Sequence, residues 1–341
     1  MKKLIALLLV VLMTASLFAA CGGTPADNKA ETKSNGSDTS ATDSIKVVTT
    51  IFPIYDWVRE VAQDDVDINL DLLLDNGVDL HSYQPTAKDI MDISDCDIFI
   101  YVGGESDEWV DDTLAQADNK NMTVLDLMDI LGDKAKEEEV KEGMQENDHE
   151  HEEGKEEEHE EGPEYDEHVW LSLKNASLFV GKIAEALGKV DTQHAADFTA
   201  NAAAYTEKLN ALDAQYQQAV DNASVKTLLF GDRFPFRYLT DDYGLDYYAA
   251  FVGCSAESEA SFETISFLSG KVDELNLKSI MQIETSDGSI AKTVKENTKT
   301  KDQQILTLDS IQNVTSDRVQ AGETYLSVME SNLTVLKQAL K

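Results

Sequence analysis

Ile45-Lys46-Val47-Val48-Thr49-Thr50, followed at once by Phe52-Pro53-Ile54-Tyr55-Asp56, sets the pattern of the chain. The first run is dominated by β-branched residues, which suit a pleated strand. Pro53 then falls where the first turn of a helix needs no backbone N–H. The same pairing recurs downstream. Residues 68–74 are strand-like and end at Asp75-Asn76-Gly77, residues 86–94 read as a short helix, and residues 97–102 form a strand closed by Gly103-Gly104. A helix around 107–117 leads to a strand at 123–127. Strand and helix in regular alternation predict an α/β lobe with a mostly parallel sheet flanked by helices.

Further on, residues 173–187 read as one helix and residues 192–222 as a much longer one. In the longer helix Phe198, Ala202, Tyr205, Leu209, Leu212, Tyr216 and Ala219 form one continuous apolar stripe. A helix of about 30 residues at about 1.5 Å each makes a rod of roughly 45 Å. Alternation then resumes, with strand-like runs at 227–230, 247–252, 279–283 and 304–308 and helical patterns at 262–276, 290–299 and 321–340. The expected architecture is two α/β lobes, each with a mostly parallel sheet, joined by one long rigid helix. No sequence repeat relates the lobes. The expected segments are a signal peptide at 1–20, a lipidated cysteine and flexible tether at 21–43, and an N-terminal lobe at 44–188. That lobe carries an acidic His-rich loop at 136–164; a connecting helix at 189–223 and a C-terminal lobe at 224–341 follow.

At 341 residues and 42% hydrophobic content, the chain can bury two cores. Its formal net charge of −37, from 28 basic and 65 acidic residues, argues against nucleic acid and favours cations as ligands. Lys2 and Lys3, an apolar run at 4–12 and small residues up to Ala19-Ala20-Cys21 read as a secretory signal, too short for a membrane span. Cys21 after two alanines resembles a bacterial lipobox, although Phe18 stands where Leu is usual. The expectation is a lipoprotein held by Cys21 to the outer face of the cell membrane. Cys96 and Cys254 lie beside apolar runs without metal-site spacing, so both are expected to be small buried hydrophobes.

Residues 136–161 are almost entirely Glu, Lys, Gly and His and cannot bury a core. His149, His151 and His159 lie in this run, read as a collector of cations, and His168 sits at its boundary with the apolar Val169 and Trp170. His81, in the stretch Gly77-Val78-Asp79-Leu80-His81-Ser82-Tyr83-Gln84-Pro85-Thr86, follows a strand and precedes a helix. In an open parallel sheet such loops line the ligand site, and Asp79 can orient the imidazole. Asp232, Glu284 and Asp287 each lie just beyond a strand of the second lobe. His-Glu-x-x-His, Gly-x-Ser-x-Gly and Walker patterns are absent from the sequence.

The 77–86 stretch and Glu167-His168-Val169-Trp170-Leu171 together resemble the two histidine motifs of the zinc/manganese solute-binding lipoproteins of ABC transporters. Tyr238-Leu239, Tyr243-Gly244-Leu245 and residues 284–294 match the second lobe of that family. The resemblance implies two α/β lobes, a long rigid helix and a metal held between the lobes, delivered to an ABC permease by a monomeric, non-enzymatic protein. It implies His81, His168, Asp232 and Asp287 as metal ligands, with Glu284 as the alternative. The sequence departs at the third ligand, where Arg233 occupies the family's position and a guanidinium cannot ligate, so either Asp232 substitutes or water or a loop histidine fills the place. Two imidazoles with carboxylates suit Zn²⁺, while more oxygen ligands move the site toward Mn²⁺, the alternative cargo. Affinity is expected to fall as pH drops toward the ordinary imidazole pKa of about 6.5. A secreted metallohydrolase and an adhesin or metal buffer without a transporter are the rival readings.

Overall fold

The structure, a computed structural model, describes residues 44–63, 66–145, 164–255 and 259–341. The first lobe contains β1 (Ile45–Thr49), α1 (Phe52–Ala62), β2 (Ile68–Leu72), α2 (Ala87–Asp95), β3 (Ile98–Tyr101), α3 (Trp109–Gln116), β4 (Thr123–Asp126) and α4 (Leu127–Leu131). Two longer helices follow, α5 (Leu173–Val190) and α6 (Ala195–Asp221). The second lobe contains β5 (Thr227–Phe234), α7 (Arg237–Tyr243), β6 (Asp246–Val252), α8 (Phe262–Glu274), β7 (Ser279–Ile283) and α9 (Ser289–Asn297). It ends with β8 (Gln304–Leu308), α10 (Ser316–Gln320) and α11 (Tyr325–Ala339).

Each lobe is built on a four-stranded sheet whose neighbours all run parallel, ordered β2-β1-β3-β4 in the first and β6-β5-β7-β8 in the second. The two orders are the same when counted from each lobe's own first strand. Topology therefore repeats where sequence does not. Strands such as β3, with Ile98, Phe99 and Ile100 all buried, carry apolar residues on both faces because helices cover both sides. In such sheets the loops at the carboxyl ends of the strands form the ligand site.

Helix α6, 27 residues and therefore about 40 Å long, buries Phe198, Ala202, Tyr205, Leu209, Leu212, Tyr216 and Val220. The stripe closes on Val220, and Ala219 is only half-buried. Rather than standing free between the lobes, α6 packs along α5, α1 and α11. Near one end Asn201 Nδ2 donates to Val61 O at 3.0 Å, and near the other Tyr216 Oη donates to Met329 O at 2.6 Å. Further buried bonds join the lobes: Trp170 Nε1 to Ser310 O at 2.8 Å, Tyr325 Oη to Trp170 O at 2.7 Å and Tyr325 N to Asp56 Oδ2 at 2.8 Å. One apolar core runs through both lobes, and a smaller one lies beneath α8 and α9.

Several expectations are corrected. The helix expected at 321–340 starts only at Tyr325, because Thr324 caps α11 by accepting from Ser327 N, and a separate short helix, α10, precedes it at Ser316–Gln320. Strand β5 runs on to Phe234, with its pairing to β6 shifting between Phe230 and Arg233. The acidic loop expected over 136–164 begins as a strap on the second lobe. Gln145 N donates to Ala250 O at 2.9 Å, Lys141 Nζ lies 2.5 Å from Asp246 and 4.1 Å from the centre of the Tyr247 ring, and Glu139 pairs with Arg237. The chain rejoins the strap where Glu137 bridges to Tyr165. Cys21, His149, His151 and His159 lie outside the described residues. Among the described residues no helix is long and apolar enough to cross a membrane.

Candidate metal centre

His81 sits in a 3₁₀ turn, Leu80–Ser82, beyond the end of β2. Asp79 caps that turn, its Oδ1 accepting from His81 N at 3.1 Å, and Leu80 anchors it in the core. His168 leads into a second 3₁₀ turn, Val169–Leu171, whose three side chains are all buried. The two rings meet. Their Nε2 atoms are 3.3 Å apart, and His168 is fully buried while His81 is partly exposed.

Neighbouring groups fix the tautomers. His81 Nδ1 lies 2.8 Å from Ser106 Oγ, whose own hydroxyl donates to Glu167 Oε2 at 2.5 Å. With its proton committed to Glu167, Ser106 can only accept, so His81 Nδ1 carries the hydrogen. His168 Nδ1 faces a carboxylate, Asp166 Oδ1, at 3.1 Å, and that oxygen also accepts His168 N at 2.9 Å. Nδ1 of His168 is therefore protonated too. Both Nε2 atoms are left as bare lone pairs pointing at one another, an arrangement that calls for a cation. Metal-binding histidines are oriented in this way by carboxylates behind them. For a Zn–N bond of about 2.0–2.1 Å, the edge of a coordination tetrahedron is about 3.3 Å.

The supports are themselves supported. Asp107 Oδ2 accepts from Val102 N and Gly103 N, each at 3.0 Å, and so shapes the turn after β3 that carries Ser106. Burial pushes the Asp107 carboxyl up to about 7. Gly104, at φ 83°, gives room for Glu167, since a Cβ there would stand 2.4 Å from Glu167 Oε1. Burial pushes the Glu167 carboxyl up, but hydrogen bonds from His81 and Ser106 outweigh it and hold the group below its ordinary value. Tyr238 Oη donates to Asp166 O at 2.9 Å, so the Tyr-Leu pair singled out in the sequence positions the His168 turn from α7.

A third donor completes the group. Cys254 follows β6 directly, and its sulfur lies with the two imidazole nitrogens in a set whose members are all within 4.8 Å of one another. Cys254 is only half-buried and is not the core hydrophobe its sequence context suggested. Glu138 of the strap accepts from Cys254 N at 3.1 Å and hydrogen-bonds to the thiol. Burial, then the carboxylates of Asp166, Glu138 and Glu167, hold the Cys254 thiol well above its ordinary pKa. A cavity of about 230 Å³ opens beside the group, lined among others by Glu105, Glu138, Glu164 and Glu167.

The expected carboxylates are engaged elsewhere. Asp232 lies in the irregular part of β5, where its Oδ2 accepts from Ile283 N at 3.2 Å and its Oδ1 from Arg233 N at 2.9 Å. Asp287 is exposed and turns its Oδ1 to Ser289 N at 2.8 Å, in the first turn of α9. Both line a second cavity of about 500 Å³ that also touches His81 and Cys254, yet neither joins the imidazoles. Glu284 is held by Ser310, whose N and Oγ each donate to it at 2.8 Å, and burial pushes its carboxyl up. Arg233 pairs with Asp79 across the lobes and reaches Ser255 O at 3.4 Å, so its charge steadies the His81 turn. Burial pushes the Asp79 carboxyl up, but Arg233 and His81 together outweigh it and leave the group below its ordinary value.

A family profile described as ZnuA, zinc-uptake complex component A periplasmic, matches residues 47–339. The zinc-binding lipoprotein AdcA of Streptococcus pneumoniae is 33% identical over 340 residues, 99% of this chain and 61% of that protein. The chain thus spans about three fifths of the AdcA relatives it matches. The high-affinity zinc uptake system protein ZnuA of Bacillus subtilis is 30% identical over 336 residues, covering 98% of this chain and 97% of that protein. Among solved structures, the Zn(II)-bound ZnuA-like domain of S. pneumoniae AdcA superposes with a TM-score of 0.67 at 30% identity, covering 87% of this chain and 99% of that one.

Proposed function

The chain belongs to the ZnuA family of zinc-uptake components, and from that premise we propose that it captures Zn²⁺ outside the membrane and delivers it to an ABC permease. The observation that carries the reading is the pair of bare Nε2 atoms of His81 and His168, 3.3 Å apart with their Nδ1 hydrogens held by Ser106 and Asp166. Two neutral imidazoles already oriented for one ion lower the entropic cost of capture. The glutamates lining the cavity attract a dication to the cleft.

Capture needs no covalent chemistry, so the protein binds and releases its cargo unchanged and works as a monomer. Lipidation of Cys21 holds it to the outer face of the cell membrane, and His149, His151 and His159 gather cations near the cleft. Elemental analysis and competitive titration of the full chain test the reading. One equivalent of Zn²⁺, bound in preference to Mn²⁺ and lost in the His81→Ala, His168→Ala double variant, is the expected result. Retention of zinc by that double variant, or preference for Mn²⁺, overturns it.

A further inference from the structure

We propose that Cys254 is the third ligand of the cargo ion, bound as a thiolate, so that the site is a His₂Cys centre that discriminates in favour of Zn²⁺ and against Mn²⁺. The inference rests on the reading that His81 and His168 hold the cargo.

Four features lead to it. Among the described residues, the only group of three or more His, Cys, Asp or Glu donors close enough to share an ion is His81, His168 and Cys254. The carboxylates of Asp232, Asp287 and Glu284 are turned to backbone or hydroxyl donors instead. Cys254 also occupies the position in the second lobe that the His81 turn occupies in the first. One follows β6 and the other β2, and these strands hold the same place in two sheets of identical order. Finally, the turn is shaped to bring sulfur to imidazole. A Cβ on Gly253 would stand 3.0 Å from His168 Cε1 and 2.9 Å from Phe234 O, so glycine is what lets this backbone lie against the ring.

The geometry is close to that of a bound site. A tetrahedral N···S edge is about 3.5 Å for bonds of about 2.0–2.1 and 2.3 Å, against the 4.8 Å limit observed. A shift on the order of 1 Å in the Gly253-Cys254-Ser255 turn closes the difference. On binding, the S–H bond breaks, the sulfur keeps the electron pair and forms the metal–sulfur bond, and the proton leaves through the Glu138 carboxylate or to water. No electron is transferred. A soft thiolate favours Zn²⁺ over the harder Mn²⁺, which prefers oxygen donors. Arg233, unable to ligate, leaves the third position for sulfur to fill.

The test uses the full chain loaded with Co²⁺, Zn²⁺ or Mn²⁺ alone. Co²⁺ should give an intense near-ultraviolet sulfur-to-metal charge-transfer band that disappears in Cys254→Ser. The same variant should bind Zn²⁺ roughly 100-fold more weakly or worse, beyond the 10–100-fold span typical of outer groups, with Mn²⁺ affinity changed less than about tenfold. The band and zinc-dependent protection of Cys254 from alkylation, mapped by peptide mass, need only the unmutated chain and so survive a folding defect in the variant. If the band is absent, or Cys254→Ser binds zinc as tightly as the unmutated chain, the thiolate assignment is wrong. A His81→Ala loss of zinc in the same series shows that only the sulfur has failed. Zinc retained in His81→Ala removes the parent reading instead.

Discussion

Replacing Glu167 with Gln would change almost no volume yet reverse the hydrogen-bond polarity behind His81. In the native arrangement Glu167 accepts twice from Ser106, N–H at 2.9 Å and Oγ–H at 2.5 Å, and lies 3.4 Å from His81 Nδ1. The amide keeps one acceptor oxygen for Ser106 N–H and presents an NH₂ to Ser106 Oγ. That hydroxyl must then accept, and its hydrogen turns to His81 Nδ1. The imidazole proton is forced onto Nε2, the atom that faces His168 Nε2. Zinc can bind only after this tautomer is reversed. The expected loss is 10–100-fold in zinc affinity, or about 1.4–2.7 kcal/mol. Competition against a chromophoric chelator at fixed pH measures it, with the melting temperature of the metal-free protein as the folding control. Ser106→Ala removes the relay but leaves the carboxylate beside Nδ1, so its loss should be smaller. Affinity within twofold of the native value in Glu167→Gln, or a larger loss in Ser106→Ala, would refute the tautomer argument.

Asp107 is raised from an unfolded value of 3.8 to about 7. The fold therefore binds the extra proton, and this group's stabilisation is full below about pH 4 and lost as pH rises through 7. Asp107→Asn keeps the acceptor for Val102 and Gly103, and should flatten the pH 5 to 8 change in the unfolding free energy of the metal-free protein, read from urea denaturation, by a few kcal/mol; an unchanged pH profile would count against it. Tyr216→Phe removes a buried donor to Met329 O, a carbonyl that keeps its partner within α11, and should cost about 0.5–1.5 kcal/mol in denaturant unfolding. Arg233→Ala breaks a pair that is partly exposed and should lower stability by about 1–3 kcal/mol, between the exposed and buried limits. It should also weaken zinc binding by loosening the His81 turn, which the chelator competition reads.

The lobes and their parallel sheets were legible because β-branched runs alternate with helix starts, as at Ile45–Thr49 and at Phe52–Ala62, whose first turn holds Pro53. The convergence of His81 and His168 was legible because His81 stands in a loop between a strand and a helix, His168 stands where the acidic run turns apolar, and the two stretches resemble one family's histidine motifs. Cys254 was not, although the rule that pointed to His81 applied equally to it: Gly253-Cys254 closes the strand run Asp246–Val252 at its carboxyl end. A lone cysteine beside an apolar run reads as core, and nothing local distinguishes a thiol facing inward from one facing a cleft. The partners of Asp232 were hidden for a related reason, since it lies in the irregular part of β5 and Ile283, whose N–H its carboxylate accepts, is far away in sequence. The strap over 136–145 was hidden by composition, because Glu139 and Lys141 read as a solvated run until Arg237 and Asp246 are placed opposite them.

The buried bonds among Trp170, Ser310, Tyr325 and Asp56 bear on how a bound ion would leave. Each of them crosses from the first lobe to the second, and α6 is bonded to both lobes as well. A wide jaw-like swing would tear several of them at once. A wide opening of that kind is therefore costly, and heat should melt the whole body in a single step instead of half by half.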